Sequence, residues 1–130
     1  MHLESPTVTT QKSQQEVFDF LTNVENFEQL MPESKQKFEK LTDSRFLFQL
    51  KGMPEIVLEQ KEQVAPHKVV LGAASEKLPF TLTADIKSLG DDTSETTLNF
   101  EGQFNAMMGM MIKNPIQNFI NTLSENISKI

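Results

Sequence analysis

The sequence predicts an α+β fold in which a curved antiparallel sheet of about six or seven strands wraps around a long C-terminal helix. Three observations carry this reading. Between Phe38 and Phe104, short segments with period-two alternation follow one another, separated by turn-forming clusters. After Phe104 the period changes to that of a helix, and Ile116, Phe119, Ile120, Leu123 and Ile127 trace one apolar stripe. Helical patterns stand before and after the run of strands but not between them, which disfavours a parallel βαβ arrangement.

The first element is an extended opening from Leu3 to Thr10. Ser13-Gln14-Gln15-Glu16 then forms a capping box, in which Ser and Glu three residues apart satisfy each other's backbone amides, so a helix starts there. Val17, Phe18, Phe20 and Leu21 recur at helical spacing, and Phe27, Leu30 and Met31 give a second short helix that Pro32 ends. Phe38 and Leu41 mark the next strand, and Thr42-Asp43-Ser44 joins it to Phe46, Phe48 and Leu50 as a hairpin. Gly52-Met53-Pro54 supplies the following break. Ile56 and Leu58 begin a strand that ends at Ala65-Pro66-His67, and Val69, Val70 and Leu71 begin another. Phe80, Leu82, Ala84 and Ile86 give the clearest half-buried strand, which Gly90-Asp91-Asp92 turns back into Leu98, Phe100, Gly102 and Phe104.

A chain of 130 residues, 38% of them hydrophobic, suits one domain spanning 1–130 with a core of its own. With 18 acidic and 12 basic side chains the net charge is -6, so the overall field repels phosphate backbones and anionic headgroups, and nucleic acid is not expected as a partner. The absence of cysteine fits a reducing compartment, and cytoplasm is the expected location. Met1-His2-Leu3-Glu4 opens without the basic and apolar stretches of a targeting signal. No segment approaches the roughly 20 apolar residues of a membrane span.

This order of elements resembles the START and Bet v 1-like superfamily, the helix-grip fold shared by polyketide cyclase/dehydrase-like and lipid-transport proteins. The resemblance covers nearly the whole chain. The stretch from Glu16 through Phe27 to Leu30-Met31-Pro32 looks like the paired helices ahead of the sheet, and the Ile116 to Ile127 stripe looks like the gripping helix. The resemblance implies an apolar ligand, such as a lipid, sterol, quinone or polyketide, held between the sheet's concave face and that helix. It implies no catalytic residue, because the superfamily has no shared catalytic signature and only some members are enzymes. The chain also lacks Trp and Tyr, and with them any phenolic hydroxyl to orient a ligand.

The run Met107-Met108-Gly109-Met110-Met111-Ile112 offers an adaptable, polarizable surface that suits either a cavity floor or ordinary core gaps where helix meets sheet. Pro115, with Gly109, bends or interrupts the last helix; either the bend gates a cavity, or Asn114 caps a fresh helix beginning at Pro115. Gln60 and Glu62 share the parity of Ile56 and Leu58, which directs Glu62 to the concave side as a polar anchor or base. The alternative places them in water at the open end of the sheet, and a single bulge reverses the assignment.

His67 falls in a turn and His2 at the terminus, neither with the neighbours of a zinc site or of a nucleophilic triad, so no metal is expected. Asp91-Asp92 lacks the spacing of a calcium loop, and the scattered glycines form no phosphate loop, so no cofactor is expected. The leading functional expectation is a non-enzymatic carrier or sensor for a small hydrophobic molecule, bound by Phe48, Leu50, Ile56, Leu58, Leu82, Phe100, Phe104, Met108, Met111 and Phe119, with Glu62 as the polar anchor. The alternatives are a cyclase- or dehydratase-type enzyme using Glu62 as acid or base, and a protein-interaction module receiving a helix on its Met-rich surface. The quinone-binding branch of the superfamily adds a membrane-associated partner.

Overall fold

In the computed structural model, residues 1–33, 35–51, 53–74 and 80–130 are described, so the expected break at Gly52 lies outside the described residues. The chain runs β1 (His2–Glu4), β2 (Val8–Thr10), α1 (Gln14–Leu21), a 3-10 turn (Val24–Asn26) and α2 (Phe27–Leu30). It continues through β3 (Lys37–Thr42), β4 (Arg45–Gln49), β5 (Ile56–Val64), β6 (Lys68–Ala73), β7 (Phe80–Gly90) and β8 (Thr93–Gly102) to α3 (Ala106–Ile127). The strands form one eight-stranded antiparallel sheet in the order β1-β8-β7-β6-β5-β4-β3, with β2 also paired to β8. Hairpins at Asp43-Ser44 and Asp91-Asp92 make neighbours of consecutive strands.

Register keeps one face apolar. Phe46 lies opposite Leu58, Phe48 opposite Ile56, Leu71 opposite Leu82, and Phe100 opposite both Leu82 and Leu3. All of these are buried, and a fully buried side chain of this size contributes about 1.5–3 kcal/mol through removal from water. The other wall of the core is α3, whose Ile116, Phe119, Ile120, Leu123 and Ile127 are buried as the stripe predicts. Rings bridge the two walls where Phe48 stacks on Phe119 with centroids 5.0 Å apart, and Phe27 of α2 stacks on Phe46 of the sheet at 5.2 Å.

The capping box forms as the sequence predicts. The Glu16 amide donates to Ser13 Oγ at 3.1 Å, and the Ser13 amide donates back to Glu16 Oε1 at 3.2 Å. Hydrogen bonds from the Ser13 backbone and then its side chain hold the Glu16 carboxyl below the usual carboxylate range. The second helix is the short α2, entered through the 3-10 turn that Asn23 caps by accepting from the Glu25 amide.

The opening strand departs from the expected continuous segment. Pro6 has no amide to offer the ladder, so the strand divides there into β1 and β2. Ser5 bridges the break by donating its amide to the Leu98 carbonyl and accepting the Leu98 amide on Oγ, both at 2.9 Å. Side chains then tie this edge to the C-terminal half of α3. Ser124 donates to the Pro6 carbonyl at 3.1 Å, Thr10 donates to the Ile127 carbonyl at 3.0 Å, and Gln117 donates to the Glu4 carbonyl at 3.0 Å.

The last helix also differs from expectation. It is one continuous helix whose N-cap is Asn105, accepting from the Met108 amide at 2.8 Å, rather than a fresh helix capped by Asn114. Pro115 removes one amide and so frees the Met111 carbonyl. That carbonyl lies on the exposed half of α3, where water can satisfy it.

Candidate functional site

Most of the concave side is filled by side chains. A void of about 10 Å³ lies inside against Leu71, Leu82, Ala84 and Leu123, no larger than one water and, among the described residues, without polar partners for it. Between sheet and helix, space opens at one end, beneath the first turns of α3, as an apolar recess of about 170 Å³. Its sheet wall is Ile56, Phe80 and Phe100, its helix wall is Met108, Met111, Ile112 and Ile116, and Phe104, Met53 and Pro54 close its sides. None of these side chains can ionise or form a strong hydrogen bond.

The aromatic side of the recess depends on one glycine. Phe100 meets Phe80 at 5.1 Å with the rings tilted by 31°, and stacks nearly parallel on Phe104 at 6.2 Å. A Cβ built on Gly102 would stand 2.4 Å from Cε2 of Phe104 and 3.0 Å from Cβ of Phe80. Only glycine at this position lets the Phe104 ring lie back over the end of β8.

Of the side chains expected to hold a ligand, Ile56, Phe100, Phe104, Met108 and Met111 line this recess. Phe48, Leu50, Leu58, Leu82 and Phe119 are buried in the packed core instead. For Phe48 and Phe119 the reason is their mutual stacking, which occupies the space a larger cavity would need. Sequence reasoning missed Met53, Pro54, Phe80, Ile112 and Ile116 as lining residues. Ile112 was within reach of the helical pattern, one turn before Ile116, and Phe80 shares the parity of Leu82; the loop residues Met53 and Pro54 carry no periodic signal.

Glu62 is a correction. Between Gln60 and Glu62 the β5–β6 register shifts by one residue, so Gln60 faces Leu71 but Glu62 faces Val70. Leu71 is buried and Val70 is on the opposite face, so the bulge at Lys61 turns Glu62 outward, where it is exposed. Gln60 does point inward, and its amide donates to the Thr22 carbonyl, fastening the end of α1 to the sheet. The carboxylate proposed as acid or base therefore has no access to the recess.

The methionine run is a second correction. Met107 and Met110 are 74% and 82% exposed and lie outside the recess, so they form neither a cavity floor nor core filling. Only Met108 and Met111 reach the recess, and they do so at its mouth. Among the described residues no group of three or more His, Asp or Glu side chains converges as a metal-ligand set, and no helix is long and apolar enough to cross a membrane.

A curved antiparallel sheet gripping a C-terminal helix, with paired short helices after the first strands, is the START/Bet v 1-like helix-grip fold, and comparison with solved structures shows the same fold. The protein XoxI from Bacillus cereus superposes with a TM-score of 0.75 at 8% identity, over 98% of this chain and 93% of that one. Norcoclaurine synthase from Thalictrum flavum, in complex with dopamine and hydroxybenzaldehyde, gives 0.74 at 11% identity, over 99% and 84%. A START superfamily protein from Mycobacterium smegmatis gives 0.70 at 11% identity, over 98% and 94%. No protein-family model matches the sequence, and no curated protein matches it.

Proposed function

We propose that the chain is a non-catalytic carrier or sensor that holds a small apolar molecule, or the apolar end of a larger one, in the recess under α3. The observation that carries this reading is a recess of about 170 Å³ whose lining, among the described residues, is entirely apolar. Such a lining offers burial as the driving force and shape as the source of selectivity. Its size limits the guest: a dry apolar cavity of about 150 Å³ accepts one benzene-sized molecule, well below the roughly 300–1,000 Å³ of sites that enclose drug-sized ligands. A single ring or the end of an alkyl chain fits, and any polar head stays outside the mouth. Helix-grip neighbours with bound small molecules, such as the synthase with its aromatic ligands, support this use of the fold.

The test compares native with denaturing mass spectrometry of the gently purified protein, alongside Ile112→Trp, which fills the recess from its helix wall. A defined small mass retained by the wild type and lost from the variant is the expected result. Equal retention by both would place the guest elsewhere and overturn the assignment. Glu62→Gln is expected to leave retention unchanged, and loss of the guest on that substitution would return the carboxylate to the site.

A further inference from the structure

Helix α3 has two unlike halves. From Ile116 onward its apolar stripe is buried, and side-chain hydrogen bonds tie it to β1, β2 and α2. Ahead of Ile116 no residue of the helix is buried. Ala106 to Ile112 contains no polar side chain at all, so the first turns are apolar on every side, and the face bearing Met108, Met111 and Ile112 meets the recess. A helix segment that is apolar all round is ordinarily covered by something, yet Met107 and Met110 project 74% and 82% exposed.

Charge indicates what covers it. Lys113 follows the apolar turns directly, and Lys51 stands on the segment leading to Met53 and Pro54; among the described residues neither lies within ion-pair range of a carboxylate. The hairpin tips at the opposite end carry Asp43, Asp91 and Asp92, while the carboxylates at the recess end, Glu55 beside Pro54 and Glu101 beside Gly102, face Lys37 at 3.2 Å and His2 at 3.1 Å. Strand β7 runs 11 residues from Phe80 beside the recess to Gly90 at the acidic turn, a span of roughly 35 Å. The Debye length at physiological salt is about 8 Å, so repulsion from the acidic end is largely screened at a surface touching the methionines. The net charge of -6 therefore orients the molecule on an anionic surface without preventing its approach.

We infer that the exposed first turns of α3 dock on a phospholipid bilayer containing anionic lipid, with Met107, Met110 and Met111 in the headgroup–acyl boundary and Lys113 and Lys51 at the headgroup level. A bilayer fits this face better than a protein partner on a further ground, which rests on the function proposed above: the recess opens at Met111, so its mouth would face a reservoir of apolar molecules, whereas a protein cover would seal it.

The test is flotation of the full chain with vesicles of phosphatidylcholine and phosphatidylglycerol. The wild type is expected to float with the vesicles. Met107→Ser combined with Met110→Ser is expected to weaken binding by about tenfold or more, and Lys113→Glu by about fivefold, less at high salt. Met107, Met110 and Lys113 are exposed and none lines the recess, so circular dichroism should show an unchanged fold and retention of an apolar guest in solution should persist. Failure of docking thus separates from failure of the ligand site. Wild-type protein that stays with the soluble fraction, or a double variant that floats as well as the wild type, overturns the inference. So does methionine-dependent self-association in ultracentrifugation without vesicles, which would assign the face to a second copy.

Discussion

Substituting Gly102 by alanine perturbs the recess through a single added carbon. The new Cβ would meet Cε2 of Phe104 at 2.4 Å and Cζ at 2.9 Å, with Cβ of Phe80 at 3.0 Å behind it. Ordinary contact needs more than 3.4 Å, so the Phe104 ring must move by roughly 1 Å or more, while Phe80 Cβ, fixed to its strand, yields little. Moving the ring breaks its near-parallel stack on Phe100, worth about 0.5–1.5 kcal/mol, and crowding of this kind costs about 1–3 kcal/mol in total. Thermal unfolding followed by circular dichroism is the suitable assay, since the chain has no Trp or Tyr to report by fluorescence. A loss of about 2 kcal/mol should lower the midpoint by roughly 8 °C in a domain of this size. The decisive comparison is Gly102→Ala in a Phe104→Ala background, where most of the cost should vanish. An unchanged midpoint in the single variant, or the same cost with and without the Phe104 ring, would refute the reasoning.

Phe119→Ala removes the ring that joins α3 to Phe48 across the core, and urea denaturation should show a loss of about 3–5 kcal/mol; a loss below about 1 kcal/mol would mean the stack is not formed. Ser13→Ala removes the α1 cap and should cost about 1 kcal/mol in the same experiment. The box also sets a pH dependence. Because the folded Glu16 carboxyl is held below its usual range by Ser13, its contribution is complete above the ordinary carboxylate range and is lost as pH falls through the lowered folded value. Stability profiles should show wild type and Glu16→Gln, which removes the titrating carboxyl itself, converging at acid pH; parallel profiles would contradict the linkage.

Much of the fold is legible in the sequence because register and helical period are written in side-chain type. The shared buried face of Phe46, Leu58, Leu82 and Phe100 follows from alternation, and the stripe from Ile116 to Ile127 follows from helical spacing. What escaped were features that a single backbone group decides. The missing amide of Pro6 splits the first strand, and the extra residue at Lys61 reverses the face of Glu62. The bulge left a trace only across the sheet: the Lys61 stem lies over Gly72, where a Cβ would stand 2.9 Å from it, and that neighbour is distant in sequence. The recess was half legible. Its strand and helix walls obey periodicity, whereas its loop wall at Met53 and Pro54 does not, and composition cannot tell that Phe48 and Phe119 fill space rather than line it.

On the function proposed above, the apolar recess under α3, and not the packed core beyond it, receives a guest. Methyl-selective NMR of protein labelled at methionine and isoleucine, titrated with benzene as a probe of the expected size, addresses it most directly. Saturable shifts concentrated at Met108, Met111, Ile112 and Ile116, with Ile120 and Ile127 unmoved, are the expected result. No saturable shift, or shifts centred on Ile120 and Ile127, would contradict the assignment.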